Sequence, residues 1–523
     1  MRLRAFGVGL VIVSLAVAGC SKSSSSKNSG SPTASTSEQP RRGGTLTLGT
    51  HYEPASLDPA TCGGPSSFAH CQPIFDSLLR YDYTAQKYLP QLAQSLDSDD
   101  GKTWTLKLRS GVNFSDGTPL NADAVTFNWD RIRDPKNLSP ALRAVTGMTW
   151  TKVDDLTVKI TLQQVNYQLP ATIALPLGFI GSPSAIKSAG AEVGSKPVGA
   201  GAFTLTKWTR GTEADFAANP NYWQKGHPYL DGLVIKDISD DTQRLNAFLA
   251  GDLTVAVSAR SQESKKVKDA GYEVIGPVPM IAGTGLGMNF KDPLLQDPDL
   301  RMALLQAIND EQVINAVYPG DPTADALLSP GSPYRDDKAG LYPKFDLSAA
   351  QQHFDAYLKR AGKSSETLIL TAFSATALAQ VAQVLQAQLS QIKGLTIKLN
   401  TLDTPTLVSN LQAGKFQLIQ GPSNLAVPDG IYETYHTGGT LNVYGYSNPK
   451  VDQALDLTRS SKDAKAVSAA YGEAAGEISK DPSLRYYRYY SPHVWEQHNV
   501  HGLTLTVFGS GVGVYWENAW LGK

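Results

Sequence analysis

Three groups of residues in this 523-residue chain have the types and spacing to do chemistry, and they point to binding. Tyr432, Tyr435, Tyr444 and Tyr446 follow a Pro/Asn/Gly-rich stretch, 421–430, that also holds Ser423, Asn424 and the acid Asp429. Several amphipathic rings on a loop suit a peptide backbone or the face of a sugar, and they equally suit a core that buries their bodies. Near the amino terminus, Tyr52 and Glu53 fall where an alternating run gives way to two turn-forming prolines, so a loop that lines a cleft is expected there. The third group, His493, His498 and His501, has spacings of five and three residues. These match neither a helical i, i+4 pair nor one strand face throughout, so solvated or hydrogen-bonded histidines are expected and no metal site is assigned.

Catalytic patterns are missing. No G-x-S-x-G elbow and no H-E-x-x-H run occurs, and the glycines of 283–287 and 509–513 complete neither G-x-G-x-x-G nor a Walker loop. With no nucleophile, zinc site or nucleotide loop to name, the reading is not an enzyme, and no cofactor is expected. The 47 Lys and Arg against 48 Asp and Glu leave a formal net charge of −1, so there is no field to gather nucleic acid.

The amino terminus carries a different chemistry. Arg2 and Arg4 precede an apolar segment, 7–18, that is short for a membrane span, and Val17-Ala18-Gly19-Cys20 resembles a bacterial lipobox. The expectation is a signal peptide over 1–19, a lipid-modified Cys20 and a flexible tether over 20–42, placing the body on the outer face of the cytoplasmic membrane. Nine Ser and no large apolar residue over 21–42 make that segment unable to join a core. A coil of this length reaches about 25 Å. In such a compartment Cys62 and Cys71 form a natural disulfide pair, whose closure would contribute about 2.5–3 kcal/mol. A two-cysteine metal site is the weaker alternative, because no Cys-x-x-Cys spacing exists.

The elements that must position these groups are legible in part. Residues 45–50 alternate as a strand, and 104–109 alternate with Trp104, Leu106 and Leu108 on one face. Asn121 is a good helix cap, with Asp123 in the first turn and Val125, Trp129 and Ile132 on one face. Farther on, 367–373 reads as a strand, Leu378, Val381, Leu385, Leu389 and Ile392 as a helix stripe ended by Gly394, and 395–399 as another strand. That order is a βαβ crossover and implies α/β architecture with a parallel sheet.

The order of several blocks is more particular. PQLAQSLDSDDGKTWTLKLRSGVNFSDGTPLNADAVTFNWDRI from Pro90, KPVGAGAFTLTKWTRG from Lys196, NPNYWQKGHPYLDGLVIKDISDDTQRLNAFLAGD from Asn219, GMNFKDPLLQDPDLRMALLQAIND from Gly287 and LNVYGYSNPKVDQAL from Leu441 resemble the family 5 extracellular solute-binding proteins, the peptide- and nickel-type subunits of ABC importers. The resemblance covers nearly all of 43–510. It implies a two-lobed periplasmic-binding-protein-like fold, type II, cluster C, with an extra inserted domain. One lobe would gather 43–74, 199–279 and 493–523, the insert would span 75–198, and the other lobe 280–492. It further implies a monomer that captures a small-molecule or peptide ligand between lobes and presents it to a permease and its ATPase subunits. An oligopeptide is the first expectation for the ligand, an oligosaccharide or other uncharged solute the second. A solute-sensing surface receptor without transport is the alternative of another class.

Ligand-binding candidates are Tyr52, Glu53, Ser423, Asn424, Asp429, Tyr432, Tyr444 and Tyr446. One departure bears on the ligand. Many peptide-binding relatives place an acid just before a proline in this loop, to pair with the ligand's ammonium, whereas here Val427 precedes Pro428. Either Asp429 or Glu433 substitutes, or the ligand has no ammonium. Two others, Asn309-Asp310 and Thr254, are expected to act in caps and turns.

Overall fold

The computed structural model describes residues 39–51, 53–62, 67–83, 85–278, 283–374, 376–422, 428–508 and 511–523. Cys20, the signal segment, Tyr52, Ser423 and Asn424 therefore lie outside the described residues. Among those described, the strands gather into sheets of seven, five and four strands, with three short two-stranded pairings.

The strand Thr45–Thr50 sits inside the seven-stranded sheet, parallel to Gly232–Asp237 on one side and Val255–Ser258 on the other. Its Leu46 and Leu48 point into the core, while Thr254 Oγ1 accepts from Thr47 N (2.7 Å) and donates to Thr47 O (3.0 Å), pinning the neighbouring turn. The order across the sheet is 273–275, 493–496, 255–258, 45–50, 232–237, 213–218 and 203–209. Non-consecutive segments of chain thus build one sheet.

The four-stranded sheet is antiparallel, in the order Ala93–Asp97, Thr103–Leu108, Thr157–Leu162 and Met148–Asp154. The helix Ala122–Arg133 packs on it. Asn121 accepts from Ala124 N at 3.0 Å, Arg131 and Arg133 lie in the last turn, and Val125, Trp129 and Ile132 are buried. Leu46, Trp129 and Ile160 belong to one continuous apolar core, so these two sheets share an interior.

The five-stranded sheet has its own cores, one on Leu286, Leu370 and Leu385 and another on Ile419, Tyr435 and Tyr471. Glu366–Phe373 and Leu395–Leu402 pair in parallel across the helix Thr376–Leu389, which is the βαβ crossover of the sequence reading. Asn309 caps the helix Asp310–Val317, and Asp310 takes both ends of the Arg485 guanidinium (2.6 and 2.7 Å).

Two segments carry the chain between the separately cored bodies. One leaves Glu273–Ile275 and enters Gly283–Met288, and the other leaves Leu484–Tyr489 and enters His493–Glu496. They run antiparallel, with Ile275 opposite Val494 and Gly283 opposite Tyr489, and Val278 N donates to Pro492 O at 2.9 Å. Gly276 has φ 124°, and a Cβ there would meet Pro492 O at 2.9 Å, so the close approach of the two crossings requires glycine. Separate cores joined by two narrow crossings make a two-lobed α/β molecule with a hinge.

A cavity between the two lobes

The helix Asp429–Tyr435 brings Asp429, Tyr432 and Glu433 to one face, at i, i+3 and i+4. Arg459, near the end of the helix Pro449–Ser460, meets all three. Its Nε and Nη2 donate to Asp429 Oδ1 and Oδ2, each at 2.8 Å, in a two-pronged pair, and Nη2 also donates to Glu433 Oε1. The guanidinium lies 3.5 Å from the centre of the Tyr432 ring, which also stacks on His436. Glu433 Oε2 accepts from Thr440 N at 2.9 Å and from Thr440 Oγ1 at 2.5 Å.

Burial and the shared arginine act on these groups in opposite directions. Burial pushes the Asp429 carboxyl up, an effect that the Arg459 guanidinium opposes. Burial acts on Glu433 in the same direction, but Arg459 and Thr440 outweigh it and hold Glu433 below the usual carboxylate range. Burial alone would lower Arg459, yet the two acids keep its pKa above the ordinary guanidinium value.

This face lines a cavity of about 570 Å³ whose other wall comes from 140–148 and 162–176, in the body that holds the four-stranded sheet. The rim is bridged by main chain and long side chains. Tyr167 N donates to Arg459 O (2.8 Å), Gln168 Nε2 to Thr458 O (3.1 Å), Lys462 Nζ to Asp99 O (2.9 Å), and Arg143 Nη1 to Thr440 O. On the hinge side, Ser261 N donates to Asp321 Oδ1 (3.1 Å) and Arg260 Nη1 to Val317 O (3.1 Å). The lobes are in contact on both sides of the seam.

Of the residues singled out in the sequence, Asp429 and Tyr432 line this cavity and Glu433 joins them. Tyr444 and Tyr446 do not. Tyr444 packs edge-on against Phe416 and Tyr446 edge-on against Tyr435, with Phe290 tilted beside it, inside the core of the five-stranded body. Their rings bury better as core than as a loop surface, and burial raises both hydroxyl pKa values. Glu53 lies apart from the cavity lining, with Arg210 Nε 3.0 Å from its Oε1. Nor do the three histidines converge: His493 is buried in its strand, His498 stacks on Tyr272 and His501 lies against Trp520. Cys62 and Cys71 are joined in a disulfide, with Cα atoms 6.1 Å apart, beside the loop that follows the first strand.

Sequence reasoning missed Arg459, Arg143 and a second set of tyrosines. Tyr81 and Tyr88 face each other across a hairpin, with ring centres 5.0 Å apart, and Tyr334 and Tyr471 pair at the same distance. Burial raises the Tyr88 hydroxyl pKa, and Tyr81, Tyr334, Tyr471 and Asp429 add to it. The alternation in LRYDYTAQKYLP, from Leu79, is the signal that was there to be read.

Two separately cored lobes, a paired crossing and a cavity at their seam define a hinged binding protein of the periplasmic type. Residues 87–444 match the model of the bacterial extracellular solute-binding proteins, family 5 (middle region), and the chain belongs to that family. The family is one of solute-binding proteins rather than enzymes. Among similar proteins, the glutathione-binding protein GsiB of Pectobacterium atrosepticum is 27% identical over 443 residues, covering 82% of this chain and 85% of its own. The GsiB of Escherichia coli K12 is 28% identical over 381 residues, 72% of each. Similar solved structures include AgaA of A. tumefaciens R10 in complex with agropinic acid (TM-score 0.79, 24% identity, 92% of this chain and 99% of that one). Another is DppA of Helicobacter pylori with the peptide STSA (TM-score 0.77, 22% identity, 92% and 99%). A third is AppA of Bacillus subtilis with a nonapeptide (TM-score 0.74, 22% identity, 93% and 100%). No helix of the described residues is long and apolar enough to cross a membrane.

Proposed function

We propose that this chain is the lipid-anchored, extracytoplasmic solute-binding component of an ABC importer, that it captures a peptide-like solute between its lobes, and that it delivers it to a permease. The observation that carries this reading is the cavity of about 570 Å³ at the seam of two separately cored lobes. Its size falls within the roughly 300–1,000 Å³ typical of small-molecule sites. Relatives named for glutathione and solved relatives holding peptides support the peptide-like class.

In this reading 43–74, 199–279 and 493–523 form one lobe, 75–198 an insert and 280–492 the other lobe, with rotation about the crossings near Gly276 and Pro492. Solute enters the open form, both walls contact it, and the closed form is what the permease recognises. Cys20 carries the lipid, and the Ser-rich tether lets a monomeric body reach the transporter from the outer face of the membrane. A micromolar solute would be held with about −8 kcal/mol, hinge closure included.

The test is a thermal-shift and calorimetric screen of the exported chain against two- to nine-residue peptides, oligosaccharides and nickel chelates. A peptide at about a hundred times its dissociation constant adds about 2.7 kcal/mol of stability. Binding and unchanged recovery of peptides is the expected result. Oligosaccharides binding with all peptides silent would replace the peptide reading, and turnover of the ligand would overturn the binding class. Anchoring is checked separately: Cys20→Ala should release the protein from membranes.

A further inference from the structure

We infer that Tyr167, Gln168 and Lys462 are positioning residues for solute binding: they clasp the end of the helix Pro449–Ser460 when the lobes close, and so set how long the solute is retained without touching it; this rests on the cavity being the solute site. The clasp starts from a need in the helix, because the last carbonyls of an α-helix have no partner within it. Ser461 N donates to Leu457 O at 3.1 Å, and the next two carbonyls take donors from the opposite wall, Thr458 O from Gln168 Nε2 at 3.1 Å and Arg459 O from Tyr167 N at 2.8 Å. Just beyond the helix, Lys462 Nζ crosses in the other direction, to Ser98 O at 3.2 Å and Asp99 O at 2.9 Å, and lies 5.0 Å from the centre of the Tyr167 ring. The receiving side is held by its own bonds. Tyr167 Oη donates to Asp99 O at 3.0 Å, Gln168 N to Asn166 Oδ1 at 2.8 Å and Asn166 N to Gly101 O at 2.9 Å. Gly101 has φ 69°, and a Cβ there would lie 2.9 Å from Tyr167 Cζ, so this turn needs glycine to seat the ring.

The position of these bonds ties them to closure. Tyr167 packs on the core that contains Trp104 and Leu169, whereas Leu455 of the helix belongs to the core that contains Ile419 and Tyr435. Asn166 lines the cavity on one wall and Arg459 on the other, while Tyr167, Gln168 and Lys462 stand outside its described lining. Walls that part to admit a solute therefore break these bonds, and because each of them is polar, water replaces it at little cost. A bond made in the closed form and exchanged for water in the open one is a differential contact, and it shifts the equilibrium between the two. Such contacts act on release more than on capture, since the open form that meets the solute does not contain them.

The experiment follows the exported chain with and without the peptides of the screen. Amide hydrogen exchange reads the clasp itself: bound peptide should slow the Tyr167 amide by about tenfold or more, while the amide of Leu106, inside the four-stranded sheet, stays unchanged. Stopped-flow binding reads the consequence. Gln168→Leu combined with Lys462→Met removes the bonds to Thr458 O, Ser98 O and Asp99 O. That double variant should release peptide about tenfold faster, with the association rate within about twofold and the melting temperature without peptide unchanged. Lys462→Arg alone keeps a cationic donor and should release within about twofold of the unaltered rate. A Tyr167 amide that exchanges alike with and without bound peptide, or a double variant that releases at the unaltered rate, would overturn the inference and leave the peptide reading standing. Peptides silent beside a bound oligosaccharide would overturn the peptide reading instead, and the same two readouts taken with that sugar then decide the clasp.

Discussion

Two clusters in this molecule each combine two carboxylates with one arginine, and they solve the problem differently. At the cavity wall, Arg459 sits between Asp429 and Glu433 and bonds both. Inside the other lobe, Arg80 reaches Glu517 at 3.2 Å, while Asp76 is held by neutral donors: Ser77 N at 2.8 Å, Tyr222 at 3.0 Å, Gln91 at 3.1 Å and Trp223 at 3.2 Å. Both Asp76 and Glu517 are 1% exposed. Burial, with the nearby Asp76 adding to it, pushes the Glu517 carboxyl up to about 7. At the cavity wall one guanidinium bonds both acids and leaves one negative charge over, whereas in the interior cluster it reaches Glu517 alone, whose carboxyl burial has raised into the neutral range. The cluster at the cavity wall can be probed by a solute, whereas the interior cluster, with the same composition, tunes only the folding equilibrium.

The comparison can be broken at its strongest joint. Arg459→Met removes the shared partner of two buried or half-buried acids, and the expected loss is about 3–5 kcal/mol near neutral pH, read from denaturant midpoints. A loss below about 1 kcal/mol would mean that the two carboxylates do not depend on the guanidinium.

The interior cluster gives a smaller, pH-dependent effect. Glu517 has a folded pKa of about 7 against an ordinary 4.5, so the folded state binds the extra proton. Its contribution is fully present below the ordinary value and is lost as pH rises through about 7, so stability should fall over that window. Glu517→Gln keeps an acceptor for Arg80 and should flatten that slope, by about 3 kcal/mol between acid and mildly alkaline buffer. An unchanged slope in the variant would place the titration elsewhere, with Asp76 first in line because burial raises it as well.

Much of the scaffold was legible because its signals are local. The cap at Asn121, the stripe Val125, Trp129 and Ile132, and the βαβ unit over 366–402 rest on periodicities and caps that span a few residues. Of the cavity lining, Asp429, Tyr432 and Glu433 were legible. Tyr432 and Tyr446 carry the same signal in the chain and both bury in the core around Tyr435, yet Tyr432 alone of the two also meets Arg459 at the cavity. A tyrosine is amphipathic enough for either setting, so composition cannot separate them. The pairing that decides what Asp429 can do lies thirty residues away on another helix, in Arg459. Such a contact is set by how two helices pack, which no local pattern records. Arg143 comes from the opposite lobe and was less accessible still.

The central claim is that a solute is captured in the cavity between 140–176 and the Asp429–Tyr435 helix. The most direct measurement is a crystal structure grown with the tightest-binding member of the peptide screen. The account predicts the solute in that cavity, in contact with both walls. Solute bound elsewhere would contradict it.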